Sequence, residues 1–227
     1  EAADAIAAVC ALPGLEAEGI YTHFANADGD EAYTMGQFTR FLELLSELEG
    51  RGITFPIRHC AASAAVLKYP CTHLDMVRPG VALYGHYPDP SCEGLDGVGL
   101  RPVMALKTRV ASVKAVPAGT PVSYGCTHVL ERDTELAALT VGYADGLPRL
   151  CSDRLEVLIR GQRAPIVGRV CMDMCMADAT GLGAAPGDEV ELFGEHLPVE
   201  DAAALVGTIQ YELLCAVSPR VPREYLN

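Results

Sequence analysis

The sequence predicts an α/β unit followed by an all-β unit. Three observations predict it. Apolar residues at helical spacing alternate with short strand-like runs over the first ninety residues. A stretch rich in proline, glycine and acids then follows, from His86 to Gly99. Beyond it, short β-rich runs are punctuated by Pro117-Ala-Gly119, Gly161-Gln and Pro186-Gly-Asp188.

The elements follow in order. Residues 2–12 read as a helix, with Ala5, Ile6, Val9 and Leu12 on one stripe and Pro13-Gly14 as its stop. Leu15 to Phe24 reads as a strand. Residues 31–49 give the clearest helix, because Met35, Phe38, Leu42, Leu45 and Leu48 share a face and Gly50 fits a C-cap. Phe55 to Cys60 is a second strand, Ala61 to Lys68 a short helix and Leu74 to Val77 a third strand. Such β-α units predict a parallel sheet with helices outside it, and leave a barrel and a doubly wound sheet both open. Residues 86–99 are a linker candidate, so the domains divide as 1–88 and 89–227. Val103–Val116, Leu136–Gly142, Leu155–Arg160, Ala164–Met176 and Glu189–Phe193 predict an antiparallel barrel or sandwich, interrupted by one helix near 198–206.

The 227 residues, half of them hydrophobic, suffice for a sizeable core. A formal charge of −13 repels phosphate backbones and argues against nucleic acid. Nine scattered cysteines, an odd number, fit a reducing cytoplasmic setting better than a disulfide framework. Cys171, Asp173 and Cys175 alternate as on one strand face, but lack the paired spacing of a zinc site, so no metal is expected. No apolar run reaches the roughly 20 residues of a membrane helix. Glu1-Ala-Ala-Asp4 enters a helical pattern without an initiator methionine, so a C-terminal part of a longer protein is expected.

Four constellations carry polar chemistry. Arg78-Pro-Gly-Val-Ala-Leu-Tyr-Gly85 follows a strand, and Gly80 lets backbone N–H groups approach an anion; a turn with a surface arginine is the plain alternative. His59-Cys-Ala-Ala-Ser-Ala-Ala65 leads a strand into a helix, which Ser63 either caps or uses to hold a phosphate. Pro121-Val-Ser-Tyr-Gly125 and Gly142-Tyr-Ala-Asp-Gly-Leu-Pro-Arg149 place Tyr124, Tyr143 and Arg149 at a polar mouth, although tyrosines at strand ends are usually packing. In Gly168-Arg-Val-Cys-Met-Asp173, Arg169 and Asp173 flank an apolar strand, and a structural ion pair weighs equally with function.

Together with Thr22-His-Phe-Ala-Asn-Ala-Asp28 and Tyr211-Glu-Leu-Leu-Cys215, these segments resemble, in order and from end to end, the signature segments of the alanine racemases. The resemblance implies an incomplete (β/α)8 TIM-type barrel followed by a C-terminal antiparallel β domain. It implies pyridoxal 5'-phosphate (PLP) as cofactor, alanine as substrate and a homodimer whose subunits share each site.

By the same resemblance, Tyr124 is one of two catalytic acid/bases and serves the partner subunit's cofactor. Arg78 faces the pyridine nitrogen, where most PLP enzymes place an acid. His23 lies near the ring, supporting the site through a hydrogen bond with an arginine. Ser63, Gly80, Val81 and Tyr211 match the phosphate-binding set. Met172 and Asp173 match residues near the substrate carboxylate, and Tyr143, Arg149 and Arg169 match the mouth of the site. Ala62 stands where the family commonly has asparagine. The second base is the lysine that holds PLP covalently, in a Lys-Ala-Asn-Ala-Tyr segment at the start of the barrel. The chain's three lysines, Lys68, Lys107 and Lys114, lie in no such segment.

The expected activity is therefore racemisation of alanine, supplying D-alanine for peptidoglycan, in the intact parent protein. The 227 residues alone are expected to be inactive and poorly soluble. A serine racemase of the glycopeptide-resistance type is the alternative enzyme, against which the bulk of Tyr211 argues. A non-catalytic fragment or interaction domain is the alternative of another class.

Overall fold

The computed structural model describes residues 1–97 and 99–226. Val98, which falls in the linker candidate, and Asn227 lie outside the described residues. The chain divides into two units, Glu1–Val103 and Met104–Asn227.

The first unit runs α1 (Ala2–Cys10), β1 (Gly19–Tyr21), α2 (Glu31–Gly50), β2 (Ile57–His59) and α3 (Ser63–Lys68). β1 and β2 are parallel, in register from Gly19 opposite Ile57 to Tyr21 opposite His59. Asp30 starts α2 by accepting the Tyr33 N–H at 2.9 Å, which satisfies one orphan donor of the first turn. The helix buries Phe38, Phe41 and Leu48. Phe38 meets Phe24 edge-on at 6.3 Å between ring centres, and both pack with Cys60, Ala61 and Ala65. The buried stripe is turned slightly from the sequence reading, with Phe41 inside and Leu42 41% exposed. Gly50 is not the cap. The helix runs through it, and Gly52 takes the left-handed turn at φ 78°.

The predicted strand Leu15–Phe24 shortens to three residues, and the one at Leu74–Val77 does not form. A single parallel bridge, Ala62 to Arg78, stands in its place. Leu74 at φ 50° lies outside the β region. Asp75 is drawn aside to Arg58, taking its backbone N–H at 2.9 Å and its guanidinium at 2.6 Å. These bonds pull the Asp75 carboxyl down to about 2.

The linker candidate is folded into this unit. Its 3-10 turns Pro90–Cys92 and Leu95–Gly97 bring a buried Cys92 against Ala64 and Leu67. Val103 still donates to the Tyr84 carbonyl at 3.2 Å.

The second unit contains β3 (Leu106–Val116), β4 (Pro121–Val122), β5 (His128–Val129), β6 (Thr134–Leu139), β7 (Glu156–Ile159), β8 (Gln162–Pro165), β9 (Cys175–Asp178) and β10 (Glu189–Phe193). Six of these form an antiparallel sheet in the order β8-β7-β10-β3-β6-β9. An isolated bridge from Ile166 to Ala177 draws the β8 edge back to β9, so the sheet curls toward closure. Val110, Leu139, Val157, Ile159, Ile166, Val190 and Leu192 fill its interior. β4 and β5 pair as a separate short hairpin.

Two corrections fall here. Ala164–Met176 is not one run: Gly168 at φ 76° breaks it, leaving β8 and β9 with a loop between them. Two helices follow β10 instead of one, α4 (Val199–Val206) and α5 (Gln210–Ala216). Among the described residues no helix is long and apolar enough to cross a membrane.

Candidate active site

In the first unit, Tyr21 and His59 occupy register-matched positions at the C-terminal ends of β1 and β2. Their rings stack at 5.2 Å. The Arg78 guanidinium lies over the Tyr21 ring, 5.1 Å from its centre. One nitrogen of Arg78 donates to His59 Nδ1. The other reaches the Thr22 carbonyl at 3.2 Å and His23 Nδ1 at 3.3 Å. Burial, and then the charge of Arg78, push the His59 imidazole below its ordinary value. That direction favours the neutral ring, whose lone pair can accept from arginine. The cluster fixes a permanent cation by aromatic and imidazole groups, and among the described residues no carboxylate pairs with it.

Ser63 lies beside it. Ser63 does not cap α3; Ala62 holds that position without a side-chain bond. Instead the buried Ser63 Oγ accepts the N–H of Gly80 at 2.8 Å and of Ala82 at 3.3 Å. The two anion-site candidates are therefore joined through one hydroxyl, whose own proton is left to donate. Val81 opens the next 3-10 turn. A Cβ at Gly80 would meet only Ser63 Oγ, at 3.8 Å, so the backbone there is open to a ligand.

In the second unit, three loops converge. Tyr124 opens a 3-10 turn after β4 and is 74% exposed. The Tyr143 N–H donates to the Cys171 carbonyl at 3.0 Å, and Ala144 N–H to that of Met172 at 2.8 Å. Asp145 pins this loop, taking the Gly142 N–H at 2.8 Å and pairing with Arg220 at 3.1 Å. Arg149 begins a turn whose Ser152 Oγ accepts the Val170 N–H at 2.9 Å. Ser123 Oγ donates to the Arg169 carbonyl at 2.7 Å. Tyr124, Tyr143, Arg149, Arg169, Met172 and Asp173 are thus carried on mutually bonded loops. Tyr211 stands separately, on α5.

Two readings of this region are overturned. Cys171 and Asp173 do not share a strand face with Cys175, because Cys171 N–H and the Met174 carbonyl close a turn at 2.8 Å and only Cys175 enters β9. Among the described residues, Arg169 and Asp173 form no ion pair, and they flank a loop instead of a strand.

The chain matches the family model "Alanine racemase, N-terminal domain" over residues 1–88 and "Alanine racemase, C-terminal domain" over residues 103–225. This chain belongs to the alanine racemase family. It is 52% identical to the alanine racemase of Desulforamulus reducens over 225 residues, covering 98% of this chain and 60% of the relative. It is 49% identical to that of Desulfovibrio desulfuricans, covering all of this chain and 62% of the relative. The chain thus spans about three fifths of the length of these alanine racemases.

Solved structures agree. The alanine racemase of Clostridium difficile 630 in complex with cycloserine superposes with a TM-score of 0.92 at 37% identity, over 99% of this chain and 60% of that one. The enzyme of Bacillus anthracis with bound L-Ala-P gives 0.90 at 38% identity, over 95% and 56%.

Sequence reasoning missed Tyr21 and His59 as partners of Arg78. The available signal was their position at the C-terminal ends of consecutive parallel strands, where α/β folds gather functional groups.

Proposed function

We propose that this chain is part of a PLP-dependent alanine racemase that interconverts L- and D-alanine and supplies D-alanine for peptidoglycan. The observation that carries this reading, beside family membership, is the fixed cation at Arg78. The first unit, residues 1–88 with the stretch packed after it, is read as part of a (β/α)8 barrel. The second, within 89–227, is read as the family's β domain.

The residues present fit PLP. Within the first unit its phosphate would be taken by the Ser63 hydroxyl and the N–H groups of Gly80 and Val81; Tyr211 is assigned to the phosphate by family resemblance alone. Its ring nitrogen would face Arg78. When bound, PLP withdraws electrons from the substrate α-carbon and so acidifies its hydrogen.

The chain's own residues do the rest. Arg78 stays protonated in a protein. It can donate a hydrogen bond to a ring nitrogen without giving up its proton, which moderates the withdrawal and favours proton exchange over side reactions. His59 and His23 hold its plane. Tyr124 takes or returns the α-proton on one face of the substrate. Met172 and Asp173 border the substrate carboxylate, and Tyr143, Arg149 and Arg169 line the mouth. The site is shared between two copies, with Tyr124 serving the partner's cofactor.

None of the three lysines is a partner of Arg78. Lys68 bonds the Asp28 carbonyl at 2.6 Å, Lys107 pairs with Glu189 at 2.6 Å, and Lys114 lies in β3. The lysine on the opposite face is therefore read as lying outside these residues, and the 227 residues alone as inactive.

The test uses the protein at the length of its relatives, supplied with PLP. Chiral chromatography is expected to show L- and D-alanine approaching equal amounts from either side, with a higher kcat/KM than for serine. No interconversion would refute the reading, and a preference for serine would redirect it.

A further inference from the structure

Ser123 sits at φ 63°, ψ −173°, a combination that is essentially glycine's alone. Gly125 follows at φ 77° and Cys126 at φ 49°. Three of four consecutive residues around Tyr124 are thus left-handed, two of them with side chains. A chain free to relax leaves such a conformation, so something holds it.

The loop of Arg169 is what holds it. Ser123 Oγ donates to the Arg169 carbonyl at 2.7 Å, and the Cys171 sulfur lies 3.4 Å from Ser123 Oγ. On the other side of Tyr124, the Arg169 guanidinium lies against Gly125. A Cβ there would come within 3.0 Å of Nη1 and 3.1 Å of Cζ. Gly168 packs as tightly on Ser123: a Cβ at 168 would lie 2.9 Å from both the Ser123 Cβ and the Val122 carbonyl. Tyr124 is therefore bracketed. The residue before it bonds the Arg169 backbone, and the residue after it lies under the Arg169 side chain. Met172 and Asp173 follow three and four residues after Arg169 on that same loop.

We propose that Ser123 is a positioning residue. Its hydroxyl clasps the Tyr124 turn onto the Arg169–Asp173 loop and holds a strained backbone that aims the tyrosine, coupling its placement to that of Met172 and Asp173. The proposal rests on the reading of Tyr124 as a proton carrier.

The strain makes the clasp testable in an unusual direction. In S123A the bond is lost but the Cβ remains, so the turn relaxes toward negative φ and carries Tyr124 with it. In S123G the bond is lost but the backbone is at ease in its present shape. Alanine is therefore the worse substitution.

The experiment measures steady-state kinetics of S123A, S123G and Y124F in the protein at the length of its relatives, with α-protonated and α-deuterated L- and D-alanine. S123A is expected to lower kcat about tenfold or more, as for loss of one hydrogen bond at a site that sets proton-transfer geometry, while S123G loses about two- to threefold. The α-deuterium isotope effect rises for the enantiomer whose hydrogen Tyr124 removes and does not rise for the other. A purely structural serine would lower the melting temperature and leave both isotope effects in place.

The proposal is overturned if both variants keep wild-type kcat and isotope effects, or if S123G is the slower of the two. Should S123A not fold, unchanged isotope effects in S123G would overturn it as well. Y124F separates the two levels. An active Y124F removes the reading of Tyr124 itself, whereas an inactive Y124F beside normal Ser123 variants removes only the clasp.

Discussion

Replacing Tyr124 with phenylalanine is expected to slow racemisation by about 10²- to 10⁴-fold, the usual contribution of a positioned acid/base. The substitution removes one oxygen and keeps the ring. Tyr124 is 74% exposed and takes part in no core cluster, so folding and melting temperature are expected to stay within experimental error of wild type. The loss is also one-sided. In the proposed mechanism two groups act on opposite faces of the α-carbon, so the variant would keep exchanging with solvent the hydrogen that the other base handles. Deuterium from D2O is expected to enter one enantiomer of alanine much faster than the other, as read by NMR of the α-position. Equal slowing of wash-in from both enantiomers would place Tyr124 outside the proton path.

Gly142→Ala is the second large effect, and it acts through backbone contact. A Cβ at Gly142 would lie 2.3 Å from the Cys171 carbonyl oxygen and 2.5 Å from both the Met172 carbonyl carbon and the Asp173 nitrogen. No flexible side-chain end is available to give way. Overpacking of this kind costs about 3 kcal/mol, and the loops bonded through Tyr143 and Ala144 must separate to relieve it. A fall in Tm of roughly 6–12 °C follows for a protein of this size, measured by thermal melt. Gly161→Ala sets the scale. Gly161 is at φ 74° with open space around it, so only the left-handed conformation is penalised, by about 1–2 kcal/mol. Equal melting temperatures for the two variants would mean that the 142 and 171–173 loops are not packed as described.

The parts of the fold written in local periodicity were legible. Glu31–Gly50 declares itself by its apolar stripe, and Glu189–Phe193 emerges with the predicted bounds. What failed depends on distant partners. Leu74–Val77 has a strand's composition, yet Leu74 sits at φ 50° and Asp75 is bonded to Arg58, remote in sequence. Ala164–Met176 is apolar enough for one strand, but Gly168 must turn because Ser123 packs against it. The stretch 86–99 looks like a linker because proline and glycine dominate it, while its buried residues, His86 and Cys92, carry no such label.

The candidate site divides in the same way. Motif order brought forward the residues that resemble the family's. The groups that orient them, Tyr21 and His59 around Arg78 and Ser123 beside Tyr124, became visible only through register, stacking and backbone angles.

The proposed function is a division of labour: these residues would supply Tyr124, the Arg78 cation and the phosphate grip, and the second proton acceptor would lie outside them. The most direct measurement follows the α-hydrogen of L- and D-alanine in D2O with PLP present. One sample holds the 227-residue chain and the other the protein at the length of its relatives. The account predicts exchange with inversion in the longer protein and none above the PLP blank in the 227-residue chain. Inversion by the 227 residues alone would contradict it.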